Sequence, residues 1–69
     1  MGWYRITIKQ KNIRKGLSGI RYFDEPNYQK IEKIVREQAF KTLGESTIDD
    51  ILITKLPPDH PDVLDHINR

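Results

Sequence analysis

One stretch constrains this chain more than any other: PNYQKIEKIVREQAFKTLG, residues 26–44. At 100° per residue, Ile31, Val35, Gln38 and Thr42 fall within roughly 40° of one line. Tyr28, Ala39 and Ile34 flank that line, and Leu43 lies further round. This is an apolar stripe wide enough to lie on a sheet. Lys30, Lys33, Arg36, Glu37 and Lys41 point away from it, as a solvated face requires. Gly44 stands where a left-handed C-terminal cap is wanted, because glycine reaches positive φ without a Cβ clash. Asp24 or Asn27 supplies a side-chain acceptor at the start, and Pro26 fits a first turn whose N–H groups have no helical partner. Phe40 alone breaks the pattern, falling at about 180° among the charges. Either another segment covers it or it anchors a partner.

The segments around this helix are short. Trp3 to Gln10, WYRITIKQ, alternates with period 2 and reads as a half-buried strand: Tyr4, Ile6 and Ile8 on one face, Trp3, Arg5, Thr7 and Lys9 on the other. Lys11 to Gly16 is a polar hairpin loop. Leu17 to Phe23, LSGIRYF, is the return strand, expected to place Ile20 and Tyr22 beside Ile6 and Ile8 in the core and Arg21 and Phe23 outside with Arg5 and Trp3. Gly19 suggests a bulge or a close backbone approach. Ile48 to Leu56, IDDILITKL, is a third strand with apolar residues on both faces, so either Ile51 and Ile53 or Leu52 and Leu56 turn inward. Pro57-Pro58 ends it. Asp62 to Asn68 then forms about two helical turns with Val63, Leu64 and Ile67 as the apolar side.

The expected fold is therefore α+β: a three-stranded sheet with one long amphipathic helix on one face and a short C-terminal helix, in the order β-β-α-β-α. A strand–helix–strand connection permits a parallel pairing with a right-handed crossover. Residues 1–69 make one small domain. A chain this short buries only about 60% of its unfolded surface, so its core is small. Small domains add disulfides, metals or a second subunit. Disulfides are excluded, because the chain has no cysteine. That accords with a reducing compartment. No apolar run approaches the roughly 18 residues of a membrane span. The first ten residues lack the apolar core of a secretory leader. Ile6 stands where a myristoylation signal needs Ser or Thr. A cytoplasmic protein without membrane contact is expected.

The net charge of +2 conceals an asymmetry. Residues 1–23 carry Arg5, Lys9, Lys11, Arg14, Lys15 and Arg21 and no acid, a net of +6; the remainder holds six bases and ten acids, a net of −4. Arg5, Lys9 and Arg21 would interleave with Trp3 and Phe23 on the outer sheet face, and Lys11, Arg14 and Lys15 extend that patch along the hairpin. Cations neutralise phosphates, and flat aromatic rings stack on bases. DNA or RNA is thus the first partner expected, through Trp3, Arg5, Lys9, Lys11, Arg14, Lys15 and Arg21. The alternative is an acidic protein or a second copy of the chain, with Phe23 and Phe40 as apolar anchors. A solvated face with edge lysines that discourage aggregation accounts for the same charges.

Catalysis has no signature. Gly16-Leu17-Ser18-Gly19 lacks the G-x-S-x-G spacing and the strand-to-helix turn of a nucleophile elbow. Asp49 and Asp50 point to opposite faces of a strand and cannot act as a dyad. His60 and His66 stand among Asp59, Asp62 and Asp65, but a spacing of six puts them on different helix faces. No cofactor and no metal are expected, and the function expected is binding, not catalysis.

Overall fold

The computed structural model describes residues 2–69. Strands β1 (Gly2–Gln10) and β2 (Leu17–Phe23) form a hairpin, helix α1 (Tyr28–Leu43) follows, a 3-10 turn (Glu45–Thr47) leads into β3 (Ile48–Leu56), and α2 (Pro61–Ile67) ends the chain. The sheet order is β2-β1-β3, with β1 antiparallel to both neighbours. β2 and β3 therefore run parallel, but β1 lies between them. The α+β fold in the order β-β-α-β-α is the one expected; the parallel pair joined by α1 is split by the first strand.

Local chemistry fixes each end. Asn27 caps α1, its Oδ1 accepting the Gln29 N–H at 2.9 Å, which leaves Pro26 just outside the helix and not in its first turn. Gly44 has a φ of 89° and donates its N–H to the Phe40 carbonyl at 2.9 Å, the left-handed stop expected of it. The Thr47 hydroxyl reaches the Leu43 and Gly44 carbonyls and tightens the turn into β3. The hairpin loop closes on Asn12, whose φ is 64°, a conformation asparagine tolerates. Lys11 N–H bonds the Thr47 carbonyl at 2.8 Å and ties the loop to the start of β3.

The register decides which side chains meet. Ile6 pairs with Gly19 and Ile53, Ile8 with Leu17 and Ile51, and Tyr4 with Arg21 and Lys55. These residues share the face under α1. The core there is Tyr4, Phe23, Ile31, Val35, Ala39 and Ile51, with Ile6, Ile8, Phe40, Ile48 and Ile53 packed against it. Ile31 has no exposed surface. The opposite face carries Trp3, Arg5, Thr7 and Lys9 with Ile20 and Tyr22 on one side and Leu52 and Leu56 on the other.

This corrects the expected facing of β2. A one-residue difference in hairpin register moves every side chain to the other face. Phe23 is 6% exposed in the α1 core, its ring 5.8 Å from Tyr4 in an edge arrangement. Tyr22 lies on the second face beside Trp3, at 5.4 Å between ring centroids. The third strand resolves as Ile51 and Ile53 toward α1, with Leu52 and Leu56 on the second face. Helix α2 covers one end of that face: Val63 is fully buried and Leu56 nearly so. Leu64 and Ile67, expected on the apolar side of α2, remain exposed.

Candidate functional site

The cations of the first third do not form one surface. Arg5 turns under α2 and pairs with Asp62. Arg21 lies on the α1 face, bonds the Gln38 side-chain oxygen, and holds its guanidinium 4.7 Å over the Phe23 ring. Trp3 is half-buried between Tyr22 and His66, the latter at 5.6 Å. Both contacts are edge arrangements, so part of the ring surface is taken up within the molecule. Of the residues expected to touch nucleic acid, Lys9, Lys11, Arg14 and Lys15 remain together at the hairpin end, all exposed. Even there the sheet brings acid alongside: Lys9 stands opposite Asp50, and Asp49 lines a shallow hollow with Lys11 and Arg14.

The expected apolar anchors are also placed differently. Phe23 is in the core. Phe40 is half-buried and packs against the α1 core, although the helical wheel left it on the polar face.

Two clefts flank β2. The one on the α2 side, about 480 Å³, is lined by Arg5, Asp62, Asp65, His66 and Arg69 together with β2. Its charged groups neutralise one another in pairs, Arg5 with Asp62 and Asp65 with Arg69 at 2.9 Å. His60 caps α2, its Nδ1 accepting the Asp62 N–H at 3.1 Å, with the Asp62 carboxylate 3.9 Å from the same nitrogen. No cluster of three or more metal-binding side chains exists among the described residues.

The other cleft, about 260 Å³, lies between β2 and the C-terminal half of α1. Ile6, Ile8, Leu17, Val35, Ala39 and Leu43 line it, with Arg21, Gln38 and Thr42 at the rim. Beside it, Gly19 stands opposite Ile6 and contributes no side chain, so a shallow hollow over Ile6, Ile8 and Leu17 continues along the strand; a Cβ on Gly19 would meet nothing within 4 Å. Leu17, at the mouth, is 49% exposed. Sequence reasoning missed this cleft. The signal was present in Leu17 and Arg21, which share the parity of Gly19 and Phe23 on β2, but it appears only once the register is known.

No helix among the described residues is long and apolar enough to cross a membrane. No family model matches the sequence, no curated protein is similar to it, and no solved structure matches it.

Proposed function

We propose that the protein is a non-catalytic binding module that takes up a protein partner along the free edge of β2. The observation that carries this reading is the apolar cleft beside that edge, lined by Ile6, Ile8, Val35 and Ala39 and by Leu17 of the edge strand itself. Strand addition draws affinity from main-chain hydrogen bonds and specificity from pockets for alternate side chains. An edge strand beside an apolar cleft has both elements. We assign the activity to the cytoplasm, for which the absence of cysteine is the supporting fact.

The test is a selection of short extended peptides, with binding mapped by amide chemical shifts. Perturbations should concentrate at residues 17–23 and at Ile6, Ile8 and Val35. Leu17→Lys should abolish them, and Leu52→Lys, on the far face, should leave them intact. Perturbations confined to the α2 cleft would sink the reading.

One observation favours nucleic acid as a second reading. Lys9, Lys11, Arg14 and Lys15 are exposed at one end, and none of them is in an ion pair among the described residues. Binding by this end would show a log K that falls linearly with log salt, and each alanine substitution at Lys11, Arg14 or Lys15 would flatten the slope by about one. Absence of binding to DNA or RNA below about 100 µM in low salt removes it.

A further inference from the structure

The two edges of the sheet are guarded very differently. β3 carries Asp49, Asp50 and Lys55, and its pairing with β1 is broken by a bulge at Lys9/Gln10. Charges and bulges are how edge strands avoid joining other strands. β2 has no proline, no bulge and one charged side chain, Arg21, which is folded back onto Gln38 and Phe23. Leu17 and Tyr22 are each about half exposed along it, at 49% and 48%.

Resting on the reading of this edge as the binding surface, we infer that the partner is a second copy of this chain, with β2 paired antiparallel to the partner's β2 about a two-fold axis at Ile20. Full overlap of the two seven-residue strands allows one register. Ile20 faces the partner's Ile20, Ser18 the partner's Tyr22, Leu17 the partner's Phe23, and Gly19 the partner's Arg21. No like charges stand opposite, and the partner's Arg21 meets the one position that has no side chain. Beyond the strand ends, the same register brings Arg14, Lys15 and Gly16 of one copy to Asp24 and Glu25 of the other. The basic end of β2 thus meets its acidic end, twice by symmetry. An edge that is basic at one end and acidic at the other is self-complementary in this antiparallel arrangement.

The size of the surface agrees. The accessible area is 5267 Å², whereas a compact monomer of 8.2 kDa exposes about 4500 Å². The surplus is close to the roughly 800 Å² that each partner contributes to a standard interface. The radius of gyration, 12.6 Å, likewise exceeds the roughly 11 Å of a compact chain of this length. Pairing along β2 turns a thin three-stranded sheet into one of six strands and covers the mouth of the cleft.

Directly opposite residues in an antiparallel pair lie about 4.5–5.5 Å apart at Cα, within disulfide reach. The chain has no cysteine, so one introduced thiol reports without background. Ile20→Cys should form a covalent dimer under mild oxidation. Leu17→Cys should not, because the two copies of residue 17 lie about 20 Å apart in this register. Ser18→Cys mixed with Tyr22→Cys should form the heterodimer. Independently of any thiol, sedimentation of the unmodified chain should pass from monomer to dimer between micromolar and about 1 mM. Lys15→Glu and Glu25→Lys, which stand opposite in this register, should each raise the dissociation constant about threefold or more, and the double variant should restore it. A chain that remains monomeric throughout, with no cross-link at Ile20, overturns the inference. If selected peptides still perturb residues 17–23 of that monomer, the second copy is excluded as partner while the edge reading stands; if nothing binds there, both fall. Cross-linking of Leu17→Cys as readily as Ile20→Cys overturns the register.

Discussion

The two faces of the sheet are covered by helices of very different strength. The sixteen residues of α1 set Ile31, Val35 and Ala39 against Tyr4, Phe23 and Ile51, closed by an asparagine cap and a glycine stop. The seven residues of α2 bury one side chain fully, Val63, and cover only the end of their face, where Trp3, Tyr22, His66 and Leu56 gather. A seven-residue helix cannot hold itself in water, so α2 exists because the sheet offers it a seat. The first face makes the fold, and the second is an attachment to it. Because the chain has one tryptophan, and it lies under α2, the two faces can be followed separately: far-UV ellipticity reports the whole, and Trp3 fluorescence reports the α2 seat.

The largest effect should come from Ile31→Ala. Truncating a fully buried isoleucine costs about 2–5 kcal/mol through lost transfer energy and a residual cavity. A domain of this size has roughly 3–10 kcal/mol in total. Ellipticity and fluorescence should therefore collapse together, in urea or on heating. Val63→Ala removes less, about 1–3 kcal/mol, and should act on one face. Trp3 fluorescence should change at lower urea than ellipticity, because α2 can leave while α1 stays on the sheet. Coincident transitions in that variant would mean that the two faces unfold as one unit, and the contrast between them would be lost.

Much of this division could be read from the chain, and the part that could not has a definite cause. The period-3.6 stripe of Ile31, Val35 and Ala39 and the alternation of Tyr4, Ile6 and Ile8 each point one way, because their polar positions leave a single apolar face. β2 has no such bias. Leu17 and Phe23 sit on one parity, Ile20 and Tyr22 on the other, and both sets are apolar enough to face a core. Its facing follows from the hairpin register, which the six loop residues 11–16 and the left-handed Asn12 set, and no composition rule reveals it. The candidate site suffered accordingly. Trp3, Arg5, Arg21 and Phe23 looked like one outer surface under the wrong register, yet the sheet and α2 take each into an internal contact. Lys11, Arg14 and Lys15 stayed where the sequence put them because a hairpin loop has no face to exchange, and Lys9 stayed because the alternation of β1 leaves a single apolar face.

A smaller effect should separate the faces through their caps. Asn27→Ala removes the acceptor for the Gln29 N–H and should cost about 1 kcal/mol of global stability. His60→Ala removes the acceptor for the Asp62 N–H, and its effect of similar size should fall on α2 alone. Hydrogen exchange reads the difference: the Asn27 variant should exchange faster across α1 and the sheet, the His60 variant only in residues 61–68. His60→Ser should recover the loss, since serine is a strong N-cap, and failure to recover would assign the role of His60 to packing.

The smallest effect tests whether charge adds anything to the seat of α2. Among the described residues, Arg5 and Asp62 form an ion pair that links this helix to the sheet, and both side chains are more than a third exposed. Exposed pairs contribute about 0–1 kcal/mol, because water screens the attraction and two side chains lose freedom to make it. Asp62 also stands in the first turn of α2, where a carboxylate favours the helix whether or not Arg5 is present. Asp62→Asn should therefore cost slightly more than Arg5→Gln, and the double variant should cost nearly the sum. A double-mutant cycle on the Trp3 transition isolates the coupling between the two. A coupling energy below about 1 kcal/mol leaves Val63 and Leu56 as the hold on α2. A coupling well above that value would make the salt bridge the fastening and reverse the order of effects argued for this face.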